Sequence, residues 1–276
     1  MDKKIERMMR ELGGIAIDLF DNAGLADVYN RIGQCEGGIF LANENSMVNT
    51  ELIDILDGGL VGRQSVDLKR RLGNSQVLKI VDLMKSKKNT AFFPGTLLRD
   101  FGGYVLPTMP VVVNGKLEVE RVKQTDMPYV DDYKILATKI LDKDYAEKVK
   151  SPKGALFEEP YRTIVQKLEQ ITTKQRAACL RPVNVNGLEV LPVICNEISL
   201  IPQLYSNKPL DVILHSSSDL YESDNAMLKS YIKVMNELQV NGKLSKYAIL
   251  AYAEIRSNGG SKGIFAYSDG KLKRLN

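Results

Sequence analysis

The chain has 276 residues, with 38 lysines and arginines against 34 aspartates and glutamates, and 44% of its residues are hydrophobic. This balance is typical of a globular protein and excludes a wholly disordered chain. The formal net charge of +4 is too small to make nucleic acid the expected partner. No apolar run approaches the roughly 18 residues of a membrane-spanning helix, so we expect no membrane span.

Cysteine and histidine usage limits the cellular setting and the kind of site. The three cysteines, Cys35, Cys179 and Cys195, form no C-x-x-C pair, and their odd number favours reduced thiols in the cytoplasm. The single histidine, His215, leaves too few ligands for a structural zinc site, so we expect no metal. We interpret His215 itself as a polar residue at the end of a strand.

Apolar runs of strand type alternate with helical patterns along the chain, which predicts an α/β or α+β fold. Helices are predicted at about 25–33, from Ser75 through Met84, and around 161–171 and 227–238. Strands are predicted at 13–20, 38–42, 90–93, 104–113, 116–123, 183–195, 211–215, 246–255 and 263–267. No repeat or linker divides the sequence, so we predict one domain over 1–276, with the lysine-rich and acid-rich segment 129–160 as a solvated excursion.

Two Asn-Gly pairs predict hairpins, because a type I′ turn requires positive φ at both central residues. Asn114-Gly115 precedes a strand that is predicted to end at Lys123, and Asn186-Gly187 precedes one predicted to end at Cys195. Strands end in loops, and catalytic and binding residues are frequently found at these ends of a sheet. By contrast, the G-x-S-x-G motif at 259–263 has no helix pattern and no histidine after it, so we interpret its glycines as a turn and not as a nucleophile elbow.

Three segments occur in the order of a known catalytic triad. They are Ala42-Asn43-Glu44-Asn45, Val122-Lys123-Gln124-Thr125-Asp126-Met127-Pro128 and Val193-Ile194-Cys195-Asn196-Glu197. Their order and flanks resemble the Glu, Lys, Cys triad of the nitrilase (carbon–nitrogen hydrolase) superfamily. Two neighbours depart from the family pattern: Asn43 stands where proline is frequent, and Asn196 stands where an aromatic residue commonly follows the cysteine. The segment from Leu210 to Asp219 is similar to that of the catalytic domain of apolipoprotein N-acyltransferases.

This resemblance implies a four-layer α-β-β-α sandwich that forms a homo-oligomer and needs no cofactor, with 129–160 as an insertion over the active site. It implies that Cys195 is the nucleophile, that Glu44 is the general base, and that Lys123 and the backbone N–H of Asn196 stabilise the oxyanion. The ammonium of Lys123 would lower the pKa of the thiol while the carboxylate accepts its proton. The second glutamate of the family matches Glu158 or Glu159.

The resulting hypothesis is a hydrolase that cleaves a small-molecule amide or nitrile through a cysteine thioester. Two alternatives remain open at this point. The same triad would transfer an acyl substrate to an amine, as the Ser218-Asp219 segment indicates, or the chain would be an inactive binding or assembly module. The departures at Asn43 and Asn196 motivate the inactive module, and taken alone Cys195 would be an ordinary buried core thiol.

Overall fold

A computed structural model gives the fold of the protein. It describes residues 16–20, 25–34, 36–44, 75–101, 104–123, 177–178, 180–205, 208–218, 223–256 and 259–275. The predicted helix around 161–171, the excursion at 129–160, Cys35, Cys179, Glu158 and Glu159 lie outside these described residues.

The first sheet begins with the predicted strand–helix–strand unit. Helix α1 (Leu25–Gln34) connects two parallel strands, β1 (Ile17–Phe20) and β2 (Gly38–Ala42). Further strands are β3 (Thr90–Phe93), β4 (Leu97–Phe101), β5 (Tyr104–Val113), β6 (Lys116–Val122) and β7 (Ala177–Ala178). Their order is β1-β2-β3-β5-β6-β7, with β4 paired to β5. Helix α2 covers residues 75–84, as predicted.

The second sheet has the order β13-β12-β11-β10-β9-β8. Its strands are β8 (Val183–Val185), β9 (Leu188–Ile194), β10 (Leu210–Ser218), β11 (Leu244–Arg256), β12 (Gly259–Ser268) and β13 (Lys271–Arg274). A 3₁₀ helix (Cys195–Leu200) and the short α3 (Ile201–Leu204) follow β9, and α4 (Asp224–Val240) connects β10 to β11. Strands β9, β10 and β11 are parallel, and the flanking pairs are antiparallel.

Three hydrophobic clusters establish the layers. The first lies between the sheets and joins residues such as Leu41 and Val111 to Ile194 and Leu214. The second packs α4 onto the outer face of the second sheet. The third packs α1 and α2 onto the outer face of the first sheet. Since burying a large aliphatic side chain contributes about 1.5–3 kcal/mol, these faces hold the helices in place. The expected α-β-β-α sandwich is therefore confirmed.

The two Asn-Gly hairpins are also confirmed. Asn114 and Gly115 have φ of 50° and 70° between β5 and β6, and Asn186 and Gly187 have φ of 52° and 89° between β8 and β9. The second strand of each hairpin ends at the residue before a candidate site residue: β6 ends before Lys123, and β9 ends before Cys195. None of the helices in the described part of the chain is long and apolar enough to cross a membrane.

Two local expectations are wrong. The glycine-rich segment 259–263 is not a turn but the start of β12, because it pairs with β11 in antiparallel register. The predicted strand over 183–195 is divided by the Asn186-Gly187 turn and stops one residue before Cys195. Cys195 has φ of 51°, in the left-handed region, so the extended backbone of the strand ends before it and the 3₁₀ helix follows.

Candidate active site

Glu44 follows β2 and is held in place through the two residues before it. The N–H of Asn43 donates to the carbonyl of Phe20 at 2.9 Å, and the hydroxyl of Ser216 donates to the carbonyl of Ala42 at 2.7 Å. Asn43 is buried. Proline has no N–H and could not make the bond to Phe20. The hydrogen bond that asparagine makes here fixes the backbone directly before Glu44.

The turn after β3 encloses Glu44 from the other side. The N–H of Thr96 donates to the backbone oxygen of Glu44 at 2.8 Å, and its hydroxyl donates to Oε1 of Glu44 at 3.3 Å. A Cβ atom added at Gly95 would overlap the backbone oxygens of Asn43 and Glu44. Glycine is therefore required at this close approach of two backbones.

Lys123 and Glu44 form a buried ion pair, with Nζ 2.5 Å from Oε1 and side-chain exposures of 1% and 8%. Burial alone would lower the pKa of Lys123. Glu44, by its charge and by its hydrogen bond, leads the causes that outweigh burial, so the pKa of Lys123 is raised above its ordinary value. Lys123 is therefore an ammonium ion throughout the physiological range.

Cys195 lies beside this pair, at the first position of the 3₁₀ helix. Its sulfur lies close enough to Glu44 and to the backbone N–H of Asn196 for both to act on the pKa of the thiol as hydrogen-bond partners. Burial first, and the charge of Glu44 second, raise the pKa of the thiol to about 12. Lys123 and the Asn196 N–H act in the opposite direction and are outweighed. The expectation that Lys123 lowers the pKa of the thiol is thus met in direction, but burial and Glu44 outweigh it, and the thiol is neutral at rest.

A second buried ion pair supports the turn that carries Cys195. The guanidinium of Arg121 lies 2.6 Å from Oε2 of Glu197, and both side chains are fully buried. The same carboxylate oxygen accepts the N–H of Ile194 at 2.9 Å, and Nε of Arg121 donates to the carbonyl of Pro192 at 3.3 Å. The strand that leads to Lys123 is thereby tied to both sides of the Cys195 turn.

The structure brings Glu44, Lys123, Cys195 and the N–H of Asn196 together, while Glu158 and Glu159 lie outside the described residues. Sequence reasoning missed Gly95, Thr96 and Arg121. A signal existed for Arg121, since residues two apart on a strand share a face and Arg121 precedes Lys123 by two. The Pro94-Gly95 pair likewise marked a turn. Among the described residues, no three His, Cys, Asp or Glu side chains are grouped as metal ligands would be.

No family model and no curated protein matches this sequence. Solved structures are similar. The chain aligns with an amidase from Nesterenkonia sp. at TM-score 0.53 and 13% identity, over 95% of this chain and 86% of the amidase. A variant of the Nesterenkonia AN1 amidase, which belongs to the nitrilase superfamily, aligns at TM-score 0.54 and 10% identity, over 95% and 87%. In another structure of the AN1 amidase, acrylamide has added to the active-site cysteine.

The chain also aligns with the glutamine-dependent NAD+ synthetase of Acinetobacter baumannii, at TM-score 0.52 and 13% identity over 94% of this chain. It spans only 43% of that synthetase and 41% of the one from Cytophaga hutchinsonii. The similarity to the amidases thus extends over most of this chain and most of each amidase. The similarity to the synthetases covers most of this chain but less than half of each synthetase. Together with the two face-to-face mixed sheets, these alignments show that the chain has the fold of the nitrilase superfamily.

Proposed function

We propose that the protein is a thiol-dependent carbon–nitrogen hydrolase that cleaves an amide or nitrile through a thioester at Cys195. One observation carries the proposal: the carboxylate of Glu44 contacts both the ammonium of Lys123 and the thiol of Cys195. A base in contact with a nucleophile, beside a fixed positive charge, is the arrangement that acyl transfer needs. The cysteine modified by acrylamide in the AN1 amidase supports the assignment by analogy of fold.

For an amide, the reaction proceeds in two halves. Glu44 takes the proton of Cys195 as the sulfur attacks the carbonyl carbon, and the oxyanion is stabilised by Lys123 and the N–H of Asn196. The intermediate collapses, the C–N bond breaks, and Glu44 returns the proton to the leaving amine. Water then attacks the thioester while Glu44 takes one of its protons. The carboxylic acid leaves, and the sulfur regains a proton to restore the thiol.

The raised pKa of Cys195 explains why the base must touch the thiol. With a pKa of about 12, a negligible fraction of the sulfur is thiolate at neutral pH. Deprotonation must therefore accompany attack, and a positioned general base typically contributes 10²–10⁴-fold in rate. We therefore propose Glu44 as the proton acceptor and Lys123 as the electrostatic group.

The experiment is to trap the acyl-enzyme. The protein is mixed with 4-nitrophenyl acetate, acetamide or benzamide, quenched in acid, and measured by intact and peptide mass. We expect an acyl group on Cys195 in the wild type and in Cys35→Ser and Cys179→Ser, but none in Cys195→Ala. Absence of the adduct with every donor, together with no turnover, would favour the inactive module. Adding hydroxylamine tests acyl transfer: hydroxamate formation that outpaces hydrolysis would favour an acyltransferase.

We also propose a homo-oligomer, as the family resemblance implies. The measurement is multi-angle light scattering of the full chain at micromolar concentration. A mass of two or more chains is expected, and a monomer over the whole accessible concentration range would contradict the proposal.

A further inference from the structure

The single histidine of the chain takes no part in the chemistry proposed above, yet it contacts the backbone of the proposed nucleophile. His215 lies in β10 and is fully buried. Its Nε2 is 2.9 Å from the carbonyl oxygen of Cys195, and its Nδ1 is 2.7 Å from the hydroxyl of Tyr231 on α4. Strand register explains the contact, because His215 pairs with Val193, two residues before Cys195.

The directions of these two hydrogen bonds follow from the chemistry of the partners. A carbonyl oxygen only accepts, so Nε2 of His215 must carry the proton that is donated to Cys195. Burial lowers the pKa of His215 to about 4, so the ring is neutral and has one N–H. Nδ1 therefore accepts from the hydroxyl of Tyr231, which completes the tautomer that the Cys195 carbonyl requires.

The backbone at Cys195 needs such support. A non-glycine residue with φ of 51° is in the left-handed region, which is unfavourable for L-amino acids. The preceding N–H, of Ile194, is held by Glu197 at 2.9 Å. The carbonyl of Cys195 is held by His215 at 2.9 Å. The turn is thus fixed on both sides, with the sulfur directed at Glu44.

We propose that His215 is a positioning residue: its Nε2–H bond to the Cys195 carbonyl holds the left-handed turn that keeps the sulfur against Glu44 and the N–H of Asn196. Its importance for catalysis rests on the proposed function, whereas its hold on the turn does not. His215 is not the general base, because its N–H is engaged by a backbone oxygen and not by the sulfur.

Two substitutions separate the hydrogen bond from packing. His215→Gln is neutral and can place an amide N–H where Nε2 lies. His215→Met has a similar volume and adapts to irregular space, but it has no N–H donor. Tyr231→Phe removes the hydroxyl that donates to Nδ1 and so loosens the hold on the ring. Tyr267→Phe is the matched control, because that buried hydroxyl bonds Asn236 and Gln239 on the same helix, away from His215.

The readouts are the pH profile of Cys195 alkylation by iodoacetamide and the rate of acylation by 4-nitrophenyl acetate. With the turn released, the sulfur moves away from the buried carboxylate. In His215→Met we expect the alkylation midpoint to fall by about one pH unit or more, toward an ordinary thiol. Acylation should slow by about tenfold or more, since a small displacement of a reacting atom is costly. A loss of stability alone would not make alkylation at neutral pH faster while making acylation slower.

His215→Gln should keep the acylation rate within about threefold of the wild type and the alkylation midpoint close to the wild-type one. Tyr231→Phe should shift the midpoint and the rate in the same directions as His215→Met, but by less. Tyr267→Phe should leave them unchanged. Profiles for folded His215→Met that match the wild type would overturn the proposal, as would a His215→Gln variant as impaired as His215→Met. If the wild type forms no acyl-enzyme, the proposed function fails while the alkylation profiles still decide the role of His215.

Imidazole ¹⁵N spectra give an independent check, since the chain has one histidine. We expect the Nε2–H tautomer, unchanged when the pH is lowered from neutral to about 5. An Nδ1–H tautomer, or a ring that titrates near its ordinary pKa, would contradict the hydrogen bond to Cys195.

Discussion

Arg121 and Glu197 are 76 residues apart in the chain, yet the guanidinium and the carboxylate lie 2.6 Å apart with no exposure to solvent. Arg121 also reaches the carbonyl of Pro192, and Glu197 also accepts the N–H of Ile194. The pair therefore joins β6 of the first sheet to the end of β9 in the second. Because Lys123 follows β6 and Cys195 follows β9, this contact sets the distance between two of the proposed catalytic groups.

Removing one partner of this pair should be far more damaging than removing both. Arg121→Met leaves the Glu197 carboxylate buried without its counter-charge, and we expect a loss of about 3–5 kcal/mol in the free energy of unfolding. Urea unfolding of Arg121→Met, Glu197→Gln and the double variant Arg121→Met/Glu197→Leu measures this. The double variant should lose less free energy of unfolding than the two single variants lose together. Additive losses would show that the two charges act independently.

Glu44→Gln should have opposite effects on catalysis and on the reactivity of the thiol. Loss of the base should lower acylation by about 10²–10⁴-fold. After burial, the Glu44 charge is the largest cause that raises the pKa of Cys195, so alkylation by iodoacetamide should show a midpoint below the wild-type value of about 12. A slower alkylation in Glu44→Gln than in the wild type, at every pH, would contradict the proposed electrostatics.

The Gly95 contact predicts a large effect from a single methyl group. Gly95→Ala would force the Glu44 backbone to move, and we expect a loss of at least about 1–3 kcal/mol in stability together with loss of acylation. Gly33→Ala is the matched control, because nothing lies within 4 Å of an added Cβ there and the residue is in α1. That variant should gain about 0.5–1 kcal/mol. Thermal unfolding of both proteins compares them, and equal effects would rule out the close approach at Gly95.

Buried neutral His215 predicts a fall in stability at acid pH. In the folded state its pKa is lowered from 6.5 to about 4 by burial, so as pH falls below 6.5 the unfolded chain takes up a proton that the folded chain does not. The contribution is present above pH 6.5 and is lost progressively down to about pH 4, amounting to about 3 kcal/mol. His215→Gln should show a correspondingly shallower fall between these pH values in urea unfolding. Parallel curves for the two proteins would refute the prediction.

Several parts of this architecture were predictable because they depend on local rules. The Asn114-Gly115 and Asn186-Gly187 turns follow from the need for positive φ, and the helices follow from apolar residues at helical spacing. Glu44, Lys123 and Cys195 each stand at or after the end of an apolar segment. Their order resembles that of the nitrilase triad, and this resemblance predicted the fold. The expected sandwich layers agree with the structure for the same reason.

The tertiary structure alone decided how the proposed groups are held and charged. The pairing of Arg121 with Glu197 and the bond from His215 to Cys195 join segments that no periodicity relates. The sequence indicated that Lys123 lowers the pKa of Cys195, but the net shift is upward because burial, which only the fold determines, outweighs Lys123. Sequence patterns act over a few residues along the chain, whereas electrostatics and desolvation act over a few ångströms in space. The chain's sequence therefore determined which groups stand at the strand ends, and its folding determined what those groups can do there.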